Sequence, residues 1–297
     1  MAWRGLHISR PARLTLADGQ VVVAQDGGEV RLALEDIAWI VLDAPHATLT
    51  STLLSACMEN GVALIVTDAT HTPSGAALPF HRHFRQGGVA LAQASMVAPL
   101  KKRLWQATVR AKIINQAAAL GAVGCEGSAP LRAMARLVGS GDPDNVEARA
   151  AREYWSCLFA SFRREDEGDT RNKMLNYGYA VIRSCVARAL VACGLLPALG
   201  INHSSATNAF NLADDMVEPF RPFVDVLVWR TIGEGSPSRE ALTLDHRRAM
   251  AGVMLADCVM AHEAMTLLAA SEKVSASLVR AIESGTSEVL ELPTMAP

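Results

Sequence analysis

Polar and charged side chains are densest in the segment GINHSSATNAFNLADDMVEPFRPFVD. It contains His203, Asp214, Asp215 and Glu218 among large apolar residues. If this segment is helical, Glu218 lies on the same face as the two aspartates, and the three charges repel one another unless a cation lies among them. A divalent metal ion would remove that repulsion. Arg221 would also remove it, as an ordinary salt bridge to the acid three residues before it.

A further acid, Glu147, lies near the start of a helix predicted over residues 144–164. It precedes Ala150 and Tyr154 by three and seven positions, so it lies on the apolar side of that helix, where an unpaired carboxylate is costly. The alternative is an acid that stabilises the first helical turn through the helix dipole. His203 also has two interpretations, as a metal ligand or as a histidine that caps or packs.

One imidazole and several carboxylates without cysteine form a ligand set suited to Mg²⁺ or Mn²⁺. Such an ion lowers the pKa of a hydroxyl or water nucleophile and offsets charge on a reacting phosphate, so the set predicts phosphoryl transfer. The six cysteines have no CxxC spacing and are not expected to bind zinc. The absence of GxxxxGK[ST] and of GxGxxG after a strand argues against a nucleotide-driven reaction.

The elements that carry these residues predict an α+β protein. The first part has short apolar runs separated by Asp-Gly turns, typical of a small antiparallel, sandwich-like β domain, with one short helix capped by Thr50 or Ser51. From about Ser95 the apolar residues recur with helical spacing and predict a larger all-α domain. We predict a β domain over residues 1–80, a basic linker over 81–94, a helical catalytic domain over 95–287 and a frayed tail over 288–297.

Overall composition indicates a globular protein, with 50% hydrophobic residues and a net charge of −2. No apolar run is long enough to span a membrane and no signal-peptide pattern begins the chain, so we expect a cytoplasmic protein without a membrane partner. Between Ala69 and Cys125 there is no acid. The basic residues there form a stripe that is either a solvated helix face or a surface for a polyanion. They are Arg82, Arg85, Lys101, Lys102, Arg103, Arg110 and Lys112.

Residues 171–225 resemble the core of the CRISPR-associated spacer-acquisition endonuclease/integrase family, the large subunit of the CRISPR adaptation complex, in its type II-like branch. The motifs are NVEARAAREYW and RNKMLNYGYAVIRSCVARALVACGLLPALGINHSSATNAFNLADDMVEPFRPFVD. The resemblance implies a DNA endonuclease and integrase, dependent on Mg²⁺ or Mn²⁺, that joins prespacer 3′-OH ends to the CRISPR repeat by transesterification. It also implies a homodimer, with dimerisation through the β domain, that binds double-stranded DNA and a small partner subunit.

By position, the resemblance implies that Glu147, His203 and Glu218 are the catalytic and metal-binding residues. The family commonly has Gly where this chain has Ala148, and His where it has Asn202. Neither departure removes a ligand. Asp214 and Asp215 fall where other branches of the family place an acid, which implies either residues that support the three ligands or an extra ligand. Arg221 is a further candidate for a supporting residue.

The basic stripe supplies the candidates for contact with the DNA backbone, which would be largely independent of base sequence and sensitive to salt. Two other functions remain open from the residues alone. One is a metal-dependent phosphohydrolase of small phosphate esters, and the other is a catalytically silent DNA-binding scaffold. The candidate DNA-binding residues are Arg82, Arg85, Lys101, Lys102 and Arg103.

Overall fold

The computed structural model describes residues 2–79, 83–233 and 238–296. Its N-terminal part consists of short strands and one helix, followed by a mostly helical part, so the predicted α+β class is confirmed. In chain order the N-terminal elements are β1 (Arg4–Ile8), β2 (Arg13–Ala17), β3 (Gln20–Gln25), β4 (Gly28–Ala33), β5 (Ile37–Leu42), β6 (Thr48–Leu49), α1 (Ser51–Asn60), β7 (Ala63–Thr67) and β8 (Pro73–Ala77).

These strands form two four-stranded sheets. One has the order β4-β3-β2-β6, in which β2, β3 and β4 pair antiparallel as predicted and β6 runs parallel to β2. The other has the order β1-β5-β7-β8, in which β1, β5 and β7 are parallel and β8 is antiparallel to β7. The parallel pairs differ from the predicted antiparallel arrangement, because the apolar pattern of a strand reports its burial and not the direction of its neighbour.

Helix α1 begins and ends as the sequence predicts. Of the two candidate caps the structure selects Thr50, whose hydroxyl accepts a hydrogen bond from the amide of Leu53 at 3.3 Å. The helix ends at Gly61, whose φ of 69° is left-handed, a conformation that glycine adopts without a steric penalty.

The second part is mostly helical, with one hairpin. The segment over 81–94, which the sequence predicts as a basic linker, contains a helix. Gly87 and Gly88 lie in the first turn of that helix and do not prevent it from forming. The elements are α2 (Gln86–Ala94), α3 (Ala98–Ala122), α4 (Ser128–Leu137), α5 (Val146–Leu158), α6 (Thr170–Ala192), α7 (Asn211–Val217), α8 (Arg221–Ile232), α9 (Leu244–Ala251), β9 (Asp257–Met260), β10 (Glu263–Thr266) and α10 (Leu267–Ser284). Within the described ranges, no helix is long and apolar enough to cross a membrane.

In the sheet β1-β5-β7-β8, strand β5 is buried on both faces and joins the two parts. Trp39 and Val41 belong to the same buried cluster as the helices, whereas Ile40 packs with Leu14 and Leu53 of the N-terminal part. The indole nitrogen of Trp39 also donates to the carbonyl oxygen of Ala251 at 3.0 Å. The helical part is therefore anchored on the sheet by apolar packing and by buried hydrogen bonds.

The C-terminal residues, for which the sequence predicts a frayed end, make specific hydrogen bonds up to Met295. Thr294 pairs with Val259 of β9 through two backbone bonds of 2.8 Å. The fully buried amide of Asn115 donates to the carbonyl oxygens of Pro219 and Pro293, at 2.7 and 2.9 Å, and accepts from the amide of Met295 at 3.0 Å. The tail is thereby linked, through α3, to the backbone immediately after Glu218.

Candidate active site

Glu147 lies in the first turn of α5, and that turn is held by an aspartate that precedes it. The carboxylate of Asp142 accepts hydrogen bonds from the amides of Val146 and Glu147, at 2.9 and 3.0 Å, and so caps the helix. The side chain of Glu147 is partly buried, with 24% of its surface exposed, and its Oε1 lies 2.6 Å from Nζ of Lys112. Glu147 is therefore both an acid in the first turn of a helix and a partly buried carboxylate paired with a lysine.

Glu218 occupies a single 3₁₀ turn, Glu218–Phe220, between α7 and α8. Its carboxylate is 6% exposed and contacts two cations, Nζ of Lys112 at 2.5 Å and Nε of Arg221 at 2.9 Å. The contact to Lys112 lacks hydrogen-bond geometry, so Oε2 of Glu218 is buried without a hydrogen-bond partner among the described residues. Burial by itself raises the pKa of Glu218, but the charges of Arg221 and Lys112 outweigh burial and lower it to about 2.

Lys112 of α3 therefore brings the two glutamates together. Its side chain is 13% exposed, and its ammonium group contacts one oxygen of each carboxylate. Burial favours the neutral amine, but the negative charges of Glu218 and Glu147 dominate and raise the pKa of Lys112. The sequence pattern predicts Lys112 as one residue of the basic stripe, and nothing in that pattern predicts its contact with Glu147 and Glu218.

The loop that carries His203 is organised by Asp215. This fully buried carboxylate accepts hydrogen bonds from the amides of Ile201, Asn202 and His203, at 2.6, 3.1 and 3.1 Å. Gly200 permits the tight path of the chain, because a Cβ there would lie 2.1 Å from the carbonyl oxygen of His203. Asp215 therefore holds the backbone of this loop as well as the ring of His203.

The imidazole of His203 is held in one orientation. Its Nδ1 lies 2.7 Å from Oδ1 of Asp215, and since a carboxylate only accepts, Nδ1 carries the hydrogen and Nε2 is left for another partner. The edge of the ring meets Trp105, with ring centroids 5.8 Å apart. The hydrogen bond that the ring donates to Asp215 raises the pKa of His203, and the negative charge of Glu218 contributes. A histidine bonded to a carboxylate in this way is typical of metal ligands.

The other two predicted supporting residues face different partners. Asp214 pairs with Arg183, Oδ1 to Nε at 2.9 Å, and accepts from the amide of Asn208 at 2.7 Å, so it stabilises the loop before α7. Arg221 pairs with Glu218, as the salt-bridge interpretation predicts. A cavity of about 230 Å³ opens beside this pair. Its charged and hydroxyl-bearing lining residues are Lys112, Arg164, Tyr179, Glu218, Arg221 and Asp225.

The donor atoms at this position suit a hard divalent cation. Within the described residues, no group of three or more His, Cys, Asp or Glu side chains is arranged as a metal site. Instead, the ammonium of Lys112 lies between Glu147 and Glu218, while His203 is near enough for its charge to lower the pKa of Glu218. Mg²⁺ and Mn²⁺ accept carboxylate oxygens and imidazole nitrogens as ligands. The candidates here are Oε2 of Glu218, which has no hydrogen-bond partner among the described residues, the oxygens of Glu147 and Nε2 of His203.

The candidate DNA-binding residues do not share one environment. Lys101 lines a cavity of about 420 Å³ together with His203. Arg85 pairs with Glu283 of α10 at 2.9 Å, and Arg103 donates to the carbonyl oxygen at position 285. Lys102 is exposed, and Arg82 lies outside the described residues.

Comparison with known proteins places the chain in a family. The family model described as CRISPR associated protein Cas1 matches residues 6–259. The chain belongs to the Cas1 family. A member from Neisseria meningitidis serogroup C (strain 8013), named CRISPR-associated endonuclease Cas1, is 37% identical over 298 residues and covers 100% of this chain and 98% of its own length.

Solved structures share the Cas1-family fold. A casposase bound to integration product has a TM-score of 0.78 at 18% identity, covering 96% of this chain and 92% of its own. A chain of a Cas6-RT-Cas1–Cas2 complex has a TM-score of 0.72 at 17% identity, covering 97% of this chain and 36% of its own. At these identities the likeness concerns the fold.

Proposed function

We propose that this chain is a divalent-metal-dependent DNA endonuclease and integrase of CRISPR adaptation. It joins prespacer 3′-OH ends to the CRISPR repeat by transesterification. The observation that carries the proposal is the convergence of Glu147 and Glu218 on one cation, with a buried oxygen of Glu218 that has no hydrogen-bond partner among the described residues. Membership of the Cas1 family and the endonuclease name of the meningococcal relative support it.

Glu147, Glu218 and Nε2 of His203 would hold the ion, Mg²⁺ or Mn²⁺. When bound, such an ion lowers the pKa of the attacking hydroxyl and offsets negative charge on the phosphate. Asp215 serves this set indirectly, because it keeps the hydrogen of the His203 ring on Nδ1 and the backbone loop in place. Pre-oriented ligands do not have to reorganise when the reaction begins.

The reaction exchanges one phosphodiester for another. The prespacer 3′ oxygen loses its proton and forms a bond to phosphorus, while the bond from that phosphorus to the 3′ oxygen of the repeat strand breaks and this oxygen takes up a proton. One P–O bond replaces another, so no nucleotide is needed as an energy source. Arg221 and Lys112 line the adjacent cavity, where their charges stabilise a phosphate that carries extra negative charge.

DNA reaches the site along the basic stripe. Lys101 lines the same cavity as His203, so a phosphate backbone that contacts this lysine passes beside the imidazole. A small partner subunit and a second copy of the chain complete the assembly. The resemblance of the sequence motifs supports both, and the fold shared with a chain of a Cas1–Cas2 complex supports the partner subunit.

Strand joining by matched variants tests the proposal. Purified protein and its partner subunit are incubated with Mn²⁺, a labelled duplex with free 3′-OH ends and a repeat-bearing plasmid. Glu147→Gln is expected to reduce joining by about a hundredfold or more. Glu153→Gln is the control, since Glu153 is an exposed acid on the same helix, and should join like the parent.

The same reactions separate the alternative functions. Hydrolysis of nucleotides or small phosphate esters without joined products would favour the phosphohydrolase. Joining that survives Glu147→Gln and His203→Ala would show that these residues are not catalytic, and DNA binding with no joining by any variant would favour the silent scaffold.

A further inference from the structure

Lys112 lies between the two carboxylates that the proposed function assigns to the metal ion. Its Nζ lies 2.6 Å from Oε1 of Glu147 and 2.5 Å from Oε2 of Glu218, and Oε2 is the buried oxygen that lacks a hydrogen-bond partner among the described residues. The ammonium thus contacts one oxygen on each of the two carboxylates expected to bind the ion. No function for this lysine follows from the sequence motifs.

Charge explains why an ammonium is stable there. A buried and a partly buried carboxylate on one ammonium repel each other, and removing the cation between them would leave the charge of Glu218 less compensated. Lys112 and Arg221 together supply two positive charges for the two negative charges of Glu147 and Glu218. The four groups are therefore neutral as a set, and the acids are held close together before any other cation arrives.

A divalent ion and this ammonium cannot share the same carboxylate oxygens without strong repulsion, because like charges within a few ångström oppose each other in a site shielded from water. We infer that Lys112 is a positioning residue that holds Glu147 and Glu218 close together and competes with the divalent ion for them. This inference rests on the proposed function. Metal binding then requires the lysine side chain to leave the two acids, and the cavity that it already lines gives its flexible stem room to do so.

Direct measurement of Mn²⁺ affinity tests the competition without any assay of DNA joining. Isothermal titration of the full chain with MnCl₂ is expected to show that Lys112→Met binds Mn²⁺ about tenfold or more tightly than the parent, because a competing unit charge is gone. Lys273→Met is the matched control. Lys273 also pairs with an acid, Glu263 at 2.8 Å, but it is exposed, and its variant should bind like the parent.

A second measurement uses the unaltered protein, in case Lys112→Met folds poorly. The amines are labelled with an acylating reagent, with and without saturating Mn²⁺, and each lysine is quantified by peptide mass spectrometry. Labelling of Lys112 should rise several-fold when Mn²⁺ displaces it from the acids, while labelling of Lys273 stays constant. Unchanged labelling of Lys112, or equal or weaker Mn²⁺ affinity of folded Lys112→Met, would overturn the inference.

Glu218→Gln separates this inference from the proposed function. If the parent binds Mn²⁺ and Glu218→Gln does not, the metal site stands and the behaviour of Lys112 alone decides the inference. If neither the parent nor Lys112→Met binds Mn²⁺, both the metal site and the inference fail. Detectable binding by Lys112→Met, with none by the parent, supports both.

Discussion

Two buried carboxylates, Asp43 after β5 and Glu218 after α7, both contact basic side chains but differ in their hydrogen bonds. Asp43 is fully buried and receives donors from His7 at 2.8 Å, His71 at 2.9 Å and Arg247 at 2.8 Å. Both of its oxygens have hydrogen-bond partners. Glu218 contacts cations at both oxygens, yet its Oε2 has no hydrogen-bond partner among the described residues.

The two carboxylates therefore differ in how they are held. The Asp43 cluster joins β1 and β5 to α9, because the bond to His7 lies within the N-terminal part and the bond to Arg247 links that part to the helical part. Its geometry is complete, and another ligand would have to break bonds that already exist. Glu218 is held by ion pairs with Lys112 and Arg221, and under the proposal above a divalent ion reaches its Oε2 by displacing the lysine. Residue type does not separate the two sites, but hydrogen-bond geometry does.

The largest effect on stability is expected at Asp43. Asp43→Asn removes the negative charge and leaves Arg247 buried without its counter-ion, which should lower the free energy of unfolding by about 3 kcal/mol. Urea denaturation measures the free energy of unfolding. Asp245→Asn is the control, because Asp245 pairs with Arg248 at 3.0 Å on the surface. Loss of this exposed pair is expected to cost less than about 1 kcal/mol. Equal losses in the two variants would show that the Asp43 cluster is not a structural anchor.

Asp215→Asn should act on joining more than on folding. The amide that replaces the carboxylate cannot accept every hydrogen bond that Asp215 receives from the loop and the ring, so His203 loses its fixed orientation. We expect joining to fall roughly ten- to a hundredfold, as for other residues that orient a metal-binding histidine. Wild-type joining rates in this variant would contradict the positioning role. Asp214→Asn, which disturbs the pair with Arg183 instead, should have a smaller effect.

A third buried carboxylate, Asp225, gives a smaller and pH-dependent effect. It accepts from the hydroxyls of Tyr154 and Tyr179, and Arg221 and Arg164 are its charged neighbours. Burial dominates and raises the pKa of Asp225 to about 7, above the ordinary value of 3.8. The folded state therefore holds its proton more tightly than the unfolded state, and the stabilisation, complete below pH 3.8, is lost as the pH rises towards 7.

Asp225→Asn removes this dependence. The stability of the parent relative to the variant should fall between pH 5 and 7 by about 1 kcal/mol for each pH unit, measured by urea denaturation. The contribution of Glu218 to stability depends on pH in the opposite direction. The pKa of Glu218 is lowered from 4.5 to about 2, so its stabilisation is present above pH 4.5 and is lost as the pH falls towards 2. A parent and Asp225→Asn pair with parallel pH profiles would show that Asp225 is ionised throughout.

Much of the fold and of the ligand set follows from local sequence. The class of each half, the cap at Thr50 and the helix that carries Glu147 in its first turn depend on neighbours within a few positions, where spacing along the chain fixes geometry. The parallel pairing of β1 with β5 and of β5 with β7 cannot be predicted in this way, because the relative direction of two strands depends on which segments of the chain pair in the folded protein. The capping role of Asp142 also escapes the sequence interpretation, because a left-handed Asn145 lies between it and the helix.

The sequence by itself determined the two-part architecture and the chemical types of the donors, because periodicity and side-chain chemistry are local properties. Only the tertiary structure decided that Lys112 lies between Glu147 and Glu218, and that Asn115 ties the C-terminal tail to Pro219. Helical spacing places these α3 residues on related faces, but not against particular partners. Which side chains meet across the core depends on how all the helices pack together, and no local pattern contains that information.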